Sequence, residues 1–596
     1  MTTLLRAPLV RRSTEPATRG SVRLGEVCLA MACGVCLVAV AYTAARYHQP
    51  WAPVVYWAGE LLVFAPAVWR LCARRVLAGE AIGLVAAQAI AQYLIKCCYH
   101  PAGFAFPDEL QHWRTAHDII VTGHLFAPNY SLPISPHFPG LENATAALVS
   151  LTGMALFPAG LLVAGLVRLL TTLGVFLLAR RAGAAPRIAA LAATLYAASP
   201  HYQYFDAIFG YQTFALAFAV LALHAAVGAV DGRGAAWWPV AAVTVATTVA
   251  GHHVTGMVLA LVAVLLVVVA AATGNATRRL AAFAAGCVAA VALWIGFVAP
   301  ETIGYLRPAV TGVVQGVRDA LSGHGGGAGT AAGPIAGTAI NYATVFLIAV
   351  ALPFGWWRII RGRRRVLPVT LAVASVSYYP VLALRVLAPD GAELAGRALT
   401  YAYIPVGYVL AVAAAWLSLT VVRRNAARVL AAALATLLFA GGITSGWPPA
   451  WERLPGRFLV DGFESGMSER GLAAARFASR VLGPGNRIAA DFTNYTLLGT
   501  YADQDVVAGA NHLFYAPRFD PADAALVRRL SIGYVLVDRR TTVPPVPPNG
   551  YFPFGTSPAP IPAGALEKFD HVDGVDKIYA DGSIIIYDLR GSRYAR

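Results

Sequence analysis

Phe106-Pro107-Asp108-Glu109-Leu110-Gln111-His112-Trp113 is an acidic turn set just past the apolar run 79–99, with a second long apolar run, 156–180, further on. Two adjacent carboxylates and an imidazole thus lie beyond the end of a segment long enough to cross a bilayer. Ionised carboxylates are costly at such a boundary, so a tight acidic cluster there reads as a site. The apolar runs on either side decide the fold, and the arginines decide which face of the membrane the cluster occupies.

Hydrophobic residues make up 58% of the 596 and charged residues 13%, with a mean hydropathy of +0.60. This excludes an ordinary soluble protein. A span needs about 20 mostly apolar residues. On that criterion the chain holds about thirteen: 26–45, 52–70, 79–99, 156–180, 187–200, 208–230, 236–251, 253–273, 280–300, 337–357, 366–388, 399–421 and 427–446. The apolar stretch 144–157 reads as an interfacial or re-entrant helix.

The net charge is +16. The arginines sit in short loops between apolar runs, which is a topology signal and argues against nucleic acid as a partner. Clusters at Arg6, Arg11, Arg12 and Arg19, at Arg70, Arg74 and Arg75, at Arg180, Arg181 and Arg187, at Arg278 and Arg279, at Arg358, Arg361, Arg363, Arg364 and Arg365, and at Arg423, Arg424 and Arg428 all fall on one side if the N-terminus is cytoplasmic and the span count is odd. The expectation is a multi-pass plasma-membrane protein. Its outer face carries the 100–155 loop, the His201–Asp206 turn, the 252–253 turn, the 301–336 loop, the 389–398 loop and everything from Trp447 onward, and the run His324–Gly337 is Gly/Ala-rich. The seven cysteines fall in or beside the spans, lack zinc spacing and read as packing residues.

This gives three parts: a cytoplasmic tail (1–25), a transmembrane domain (26–446) that includes the outer loop 100–155, and an extracytoplasmic α/β domain (447–596). In the last, Ser468 is expected to cap a helix near 469–482. Arg487–Asp491 and Tyr534–Asp538 read as short buried strands, and 577–587 as a hairpin about Asp581-Gly582. The proline-rich 541–563 reads as a surface loop.

Asp108 or Glu109 suits a general base that takes a proton from an acceptor hydroxyl. The same position after Pro107 also suits a helix N-cap. His112 lies one turn further on. His252-His253 breaks two apolar runs after Gly251, where exposed helix ends can bind an anion; it also reads as a polar turn. Glu393 and Arg397 are spaced as an i,i+4 ion pair, and Arg397 stands at lipid head-group level, where a guanidinium can grip a phosphate. Lys96 reads as snorkelling outward from the third span. In His201-Tyr202-Gln203-Tyr204-Phe205-Asp206, Tyr202 and Asp206 read as interfacial residues or a sugar platform. Glu60 is an intramembrane carboxylate with no evident partner in sequence.

An acidic pair after an early span, many spans and an outer C-terminal domain resemble the GT-C glycosyltransferases, integral membrane enzymes that use polyprenyl-phosphate sugars. Pro107-Asp108-Glu109-Leu110-Gln111-His112 and Phe138-Pro139-Gly140-Leu141-Glu142-Asn143-Ala144-Thr145 carry the resemblance. His252-His253 with Thr255, and Glu393 with Arg397, resemble the bacterial members. The resemblance implies an α-helical polytopic GT-C-like fold. It also implies an inverting glycosyltransferase that moves a hexose or pentose from a polyprenyl-phosphate donor to a glycan, lipid or protein acceptor of the cell envelope. The pair is Asp-Glu and not Asp-x-Asp, so it does not demand a metal; a divalent cation (Mg, Mn or Ca) would fall to Asp108 and Glu109. The competing expectations are a transporter or flippase of lipid-linked sugars, which would place polar groups at the bilayer midplane within internal repeats, and a non-catalytic envelope assembly protein.

Overall fold

The computed structural model describes residues 23–73, 75–230, 236–322, 335–362, 365–387, 391–420, 424–547, 550–552 and 559–594. The arginines at 6, 11, 12, 19, 74, 363, 364 and 423, and 324–334 of the Gly/Ala-rich run, lie outside them.

Among the described residues, eleven helices are long and apolar enough to cross a membrane, from Leu24–Arg46 to Asn425–Ser445. Two of the thirteen expected spans are shorter helices, Pro186–Tyr196 and Trp237–Gly251. Many of the long helices turn large apolar side chains outward, among them Leu29, Val54, Leu162, Leu261, Leu293 and Phe346. Such a surface belongs in lipid. Small residues let the helices approach closely: a Cβ on Gly34 would come within 2.7 Å of the Gly59 carbonyl, and the reverse holds for Gly59.

The expected 301–336 loop begins instead with a helix, Glu301–Leu321. Its apolar residues Ile303, Val310, Val314, Val317 and Leu321 recur at helical spacing and are exposed. The glycines and Pro308 hide this periodicity in the sequence.

The chain forms two compact units. One takes the described residues up to Ala45, then Gln49–Tyr99 and Leu161–Leu454. The other takes Arg46–His48, His100–Gly160 and the chain from Pro455 on. The outer loop therefore packs with the C-terminal region, and the boundary falls after Leu454.

In this second unit a five-stranded sheet has the order β2-β1-β3-β5-β4, with β1 Arg487–Ala489, β2 Asp505–Val507, β3 Tyr534–Asp538, β4 Asp576–Ala580 and β5 Ile584–Asp588. β1, β2 and β3 are parallel, while β5 runs antiparallel to both β3 and β4. All five residues of β3 are buried, which is why it reads as an unbroken apolar run. Ser468 caps Glu469–Val481 through the Gly471 N–H at 3.2 Å, and Gly582 turns the hairpin at φ 92°. The 541–563 stretch is not simply a surface loop: Tyr551, Phe552 and Ile561 are buried in the core beside β3, because its prolines alternate with large apolar residues.

At the carboxyl ends of β1 and β3, the carboxylates of Asp491 and Asp538 are both buried. Asn494 Nδ2 donates to Asp491 Oδ2 at 2.6 Å, and Arg540 Nη2 to Asp538 Oδ2 at 2.6 Å. Burial and the neighbouring Asp538 charge push the Asp491 carboxyl up to about 6. The folded state therefore binds a proton that the unfolded chain has released, and stability falls as pH rises from about 4 to about 6. Asp491→Asn keeps the cap and removes the charge. It is expected to stabilise the protein by about 1–3 kcal/mol at pH 7 and by nothing below about pH 4. Thermal unfolding at the two pH values checks this; an equal gain at both would refute it.

Candidate functional site

In the first unit, the connection between Pro186–Tyr196 and the helix Tyr211–Val230 is buried throughout. Connecting segments usually run over the surface because their backbone needs water, so this one must be held by side chains. Arg168, midway along the apolar helix Leu156–Arg181, donates to the Tyr202 carbonyl, and its guanidinium lies 3.8 Å from the Tyr202 ring centroid. Thr172 Oγ1 and the Tyr202 hydroxyl are 2.8 Å apart. Gln203 donates to Glu60, and Gln92 Nε2 donates to Gln203 Oε1 at 3.2 Å. Tyr204 and Tyr42 hydroxyls are 2.5 Å apart. Thr400 Oγ1 donates to Asp206 Oδ1 at 2.9 Å. Tyr202 and Asp206 are thus structural ties of a buried loop, and neither forms an exposed sugar platform. Glu60 is partnered by an amide from this loop and by the Tyr56 hydroxyl.

On this bed lies the first part of the helix Gly391–Thr420. Gly396 abuts His201, whose ring a Cβ would overlap. Arg397 is 5.1 Å from the Phe205 ring centroid and donates to Glu393 Oε1 at 2.9–3.0 Å, so the i,i+4 pair forms. Glu393 is 68% exposed and Arg397 31%, which leaves solvent access to the pair. Burial, then the charges of Arg397 and Arg385, push His201 down to about 3, so it is neutral beside two guanidinium groups.

His252 and His253 belong to the same neighbourhood. His252 is extended (φ −164°) between Trp237–Gly251 and His253–Ala272. Its Nδ1 accepts from the Thr255 N–H at 3.3 Å and lies 2.8 Å from Thr255 Oγ1, which lies 2.8 Å from the Tyr401 hydroxyl. An accepting Nδ1 puts the ring proton on Nε2. Arg397 acts electrostatically on both Tyr401 and His253, and Tyr305 of the amphipathic helix meets the His253 ring at 5.6 Å. Lys96 is buried within Ala78–Tyr99 and does not snorkel outward.

The acidic turn belongs to the second unit. Pro107–Thr122 is a helix with Phe106 at its N-cap. Glu109 Oε2 accepts from the N–H groups of Ala105 (3.3 Å) and Phe106 (3.4 Å) and is buried. Glu109 thus closes the helix start, while Asp108 beside it is half-buried. His112 Nδ1 is 2.6 Å from Glu142 Oε1, both side chains fully buried, which joins the two loop motifs on the helices Pro107–Thr122 and Gly140–Thr152. Arg114 pairs with Asp118 (2.8 Å) and Asp503 (2.6 Å), and Trp113 packs on Tyr501 at 4.9 Å. These contacts dock the acidic helix onto Phe492–Tyr501.

Among the described residues, the group able to converge on a metal ion is His512, Asp520 and Asp523, and it does not include Asp108 and Glu109. Its members already have tasks: Asp520 caps a helix through the Asp523 N–H, and Asp523 receives His512 Nδ1 and Lys568 Nζ, each at 2.8 Å.

Sequence reasoning passed over Arg168. Its signal is plain, as the arginine within Leu156-Phe157-Pro158 … Leu178-Ala179 that is not at an end.

No known family profile and no curated protein matches the chain. Solved structures do. ArnT from Cupriavidus metallidurans, bound to undecaprenyl phosphate, aligns over 86% of this chain and 98% of its own, at 12% identity and a TM-score of 0.50. The arabinofuranosyltransferase AftD from Mycobacteria aligns over 86% of this chain and 42% of its own, at 15% identity and a TM-score of 0.52. At such identity the likeness concerns architecture and transfers no residue roles. A polytopic helical unit, a second unit built of an early loop and a C-terminal sheet, and these two neighbours together give the chain the fold of the GT-C membrane glycosyltransferases.

Proposed function

We propose that the protein transfers a sugar from a polyprenyl-phosphate donor to a cell-envelope acceptor, with inversion, on the outer face of the membrane. The observation that carries this reading is the neighbourhood of Arg397. A partly exposed guanidinium pairs with the exposed Glu393, follows the Gly396 that abuts neutral His201, and acts electrostatically on His201, as Arg385 also does, and on His253. Such a site favours a phosphate over a cation, and the fold is one that in ArnT holds undecaprenyl phosphate. The arginine clusters support a cytoplasmic N-terminus and an outward-facing second unit.

In this reading Asp108 takes the proton of the acceptor hydroxyl, whose oxygen bonds to the anomeric carbon as the bond from that carbon to the phosphate oxygen breaks. The electron pair leaves on polyprenyl phosphate, where Arg397 stabilises it. The second unit binds the acceptor glycan, lipid or protein. Arg397→Ala is expected to lower kcat/KM for the donor about 10–100-fold while leaving the acceptor KM unchanged. Donor titrations in proteoliposomes read this directly. Unchanged donor dependence would remove the phosphate site from the reading.

A further inference from the structure

We propose that Arg168 is a positioning residue: through Asp206 and Thr400 it fixes the helix turn that presents Arg397 to the donor phosphate. This rests on the phosphate role of Arg397 above.

Arg168 is 2% exposed in the middle of an apolar helix. A cation in such a place is costly, so its charge needs an answer within the protein. One nitrogen donates to the Tyr202 carbonyl and the plane stacks on the Tyr202 ring. Nε and Nη2 have no hydrogen-bond partner among the described residues. Asp206, 5% exposed, also has an unpartnered oxygen, Oδ2, and Arg168 acts electrostatically on it. The Tyr196 hydroxyl, Ser199 Oγ and Gln212 Nε2, close by in the chain, are likewise buried and unpartnered. Arg168 on the Tyr202 carbonyl and Asp206 four residues further on belong to the same buried connection, so the guanidinium is the cation that answers the buried carboxylate.

The other Asp206 oxygen accepts from Thr400. Thr400 lies three residues after Arg397, one turn along the same helix face. Phe205, next to Asp206, packs under the Arg397 guanidinium. Arg168 therefore holds Asp206 ionised, ionised Asp206 holds Thr400 by a charge-assisted bond, and the bed holds Arg397. Protonation of Asp206 weakens the Thr400 bond and leaves Arg168 a lone buried cation.

The groups facing Asp206 are Arg168 from Leu156–Arg181, Tyr196 from Pro186–Tyr196, Tyr202 from its own loop, and Thr400 and Tyr401 from Gly391–Thr420. Burial pushes the Asp206 carboxyl up to about 6, against the pull of Thr400 and Arg168. Affinity for a phosphate at Arg397 should then fall as pH drops through about 6.

The test measures binding of farnesyl methyl phosphate to the purified full chain between about pH 5 and pH 8, where this diester keeps a single charge and only the protein titrates. Wild type should lose affinity on the acid side with a midpoint near 6. Arg168→Gln should move that midpoint up by about one unit, Arg168→Lys should return it close to the wild-type value, and Asp206→Asn should abolish the step. Each midpoint is read against its own plateau, so a fraction of misfolded protein does not imitate a shift. Arg397→Ala, weakened at every pH, reports on the phosphate site itself. If Arg397→Ala weakens binding while the Arg168→Gln midpoint stays in place, or Asp206→Asn keeps the step, the positioning role is overturned and the phosphate site stands. If Arg397→Ala binds like wild type, the phosphate site falls and the positioning role with it.

Discussion

On the proposed reading, Asp108→Asn is expected to lower transfer from a polyprenyl-phosphate donor by about 10²–10⁴-fold, the usual contribution of a general base, with the folded protein unchanged. Asp108 is half-buried in the first turn of Pro107–Thr122, so an acceptor hydroxyl can reach it. Its neighbour cannot take over: Glu109 is buried and accepts from two backbone N–H groups at the helix start. Asparagine has the same shape and keeps a polar group in the first turn. The lost charge at the helix N-terminus is worth only about 0.3–1 kcal/mol. Transfer assays in proteoliposomes, paired with thermal unfolding, separate the two effects. Turnover within a few-fold of wild type would remove Asp108 as the base.

His112→Phe is expected to destabilise the second unit by about 1–3 kcal/mol, because it leaves a buried carboxyl without its hydrogen-bond partner. His112 and Glu142 are both 0% exposed and 2.6 Å apart. Glu142 Oε2 already lacks a hydrogen-bond partner among the described residues. Removing the imidazole leaves the whole carboxylate uncompensated. Replacing both partners, His112→Phe with Glu142→Leu, recovers most of the loss, since nothing polar then remains unpaired. Thermal unfolding of the single and double variants checks the pattern; a single variant as stable as wild type would refute it.

The membrane helices were legible in the sequence because each needs only its own apolar run. Strand β3 and the hairpin of β4 and β5 were legible for the same local reason. The grouping of 100–160 with the C-terminal region was not. Its ties, Arg114 to Asp503 and Trp113 to Tyr501, join residues nearly four hundred positions apart, and no local pattern announces them. The Glu393–Arg397 pair followed from helical spacing, whereas the Glu60–Gln203 bond did not, because an amide leaves no charge signature to match. Tyr202 and Asp206 looked like boundary residues since aromatics collect at membrane interfaces. The Arg168 guanidinium, buried against Tyr202, reveals an interior loop. The amphipathic helix Glu301–Leu321 was masked by Gly304, Pro308, Gly312 and Gly316, residues that usually interrupt helices.

The docking of Pro107–Thr122 onto Phe492–Tyr501 bears on how this polypeptide can be dissected. A fragment cut out at Pro455 and expressed alone would retain its sheet but bare the Tyr501 ring and leave Asp503 without its guanidinium. Such a truncation invites aggregation for reasons unrelated to the sheet. A secretable version needs residues 100–160 grafted ahead of it, and the two excursions from the bilayer are better treated as a single module interrupted by helices than as a loop and a tail.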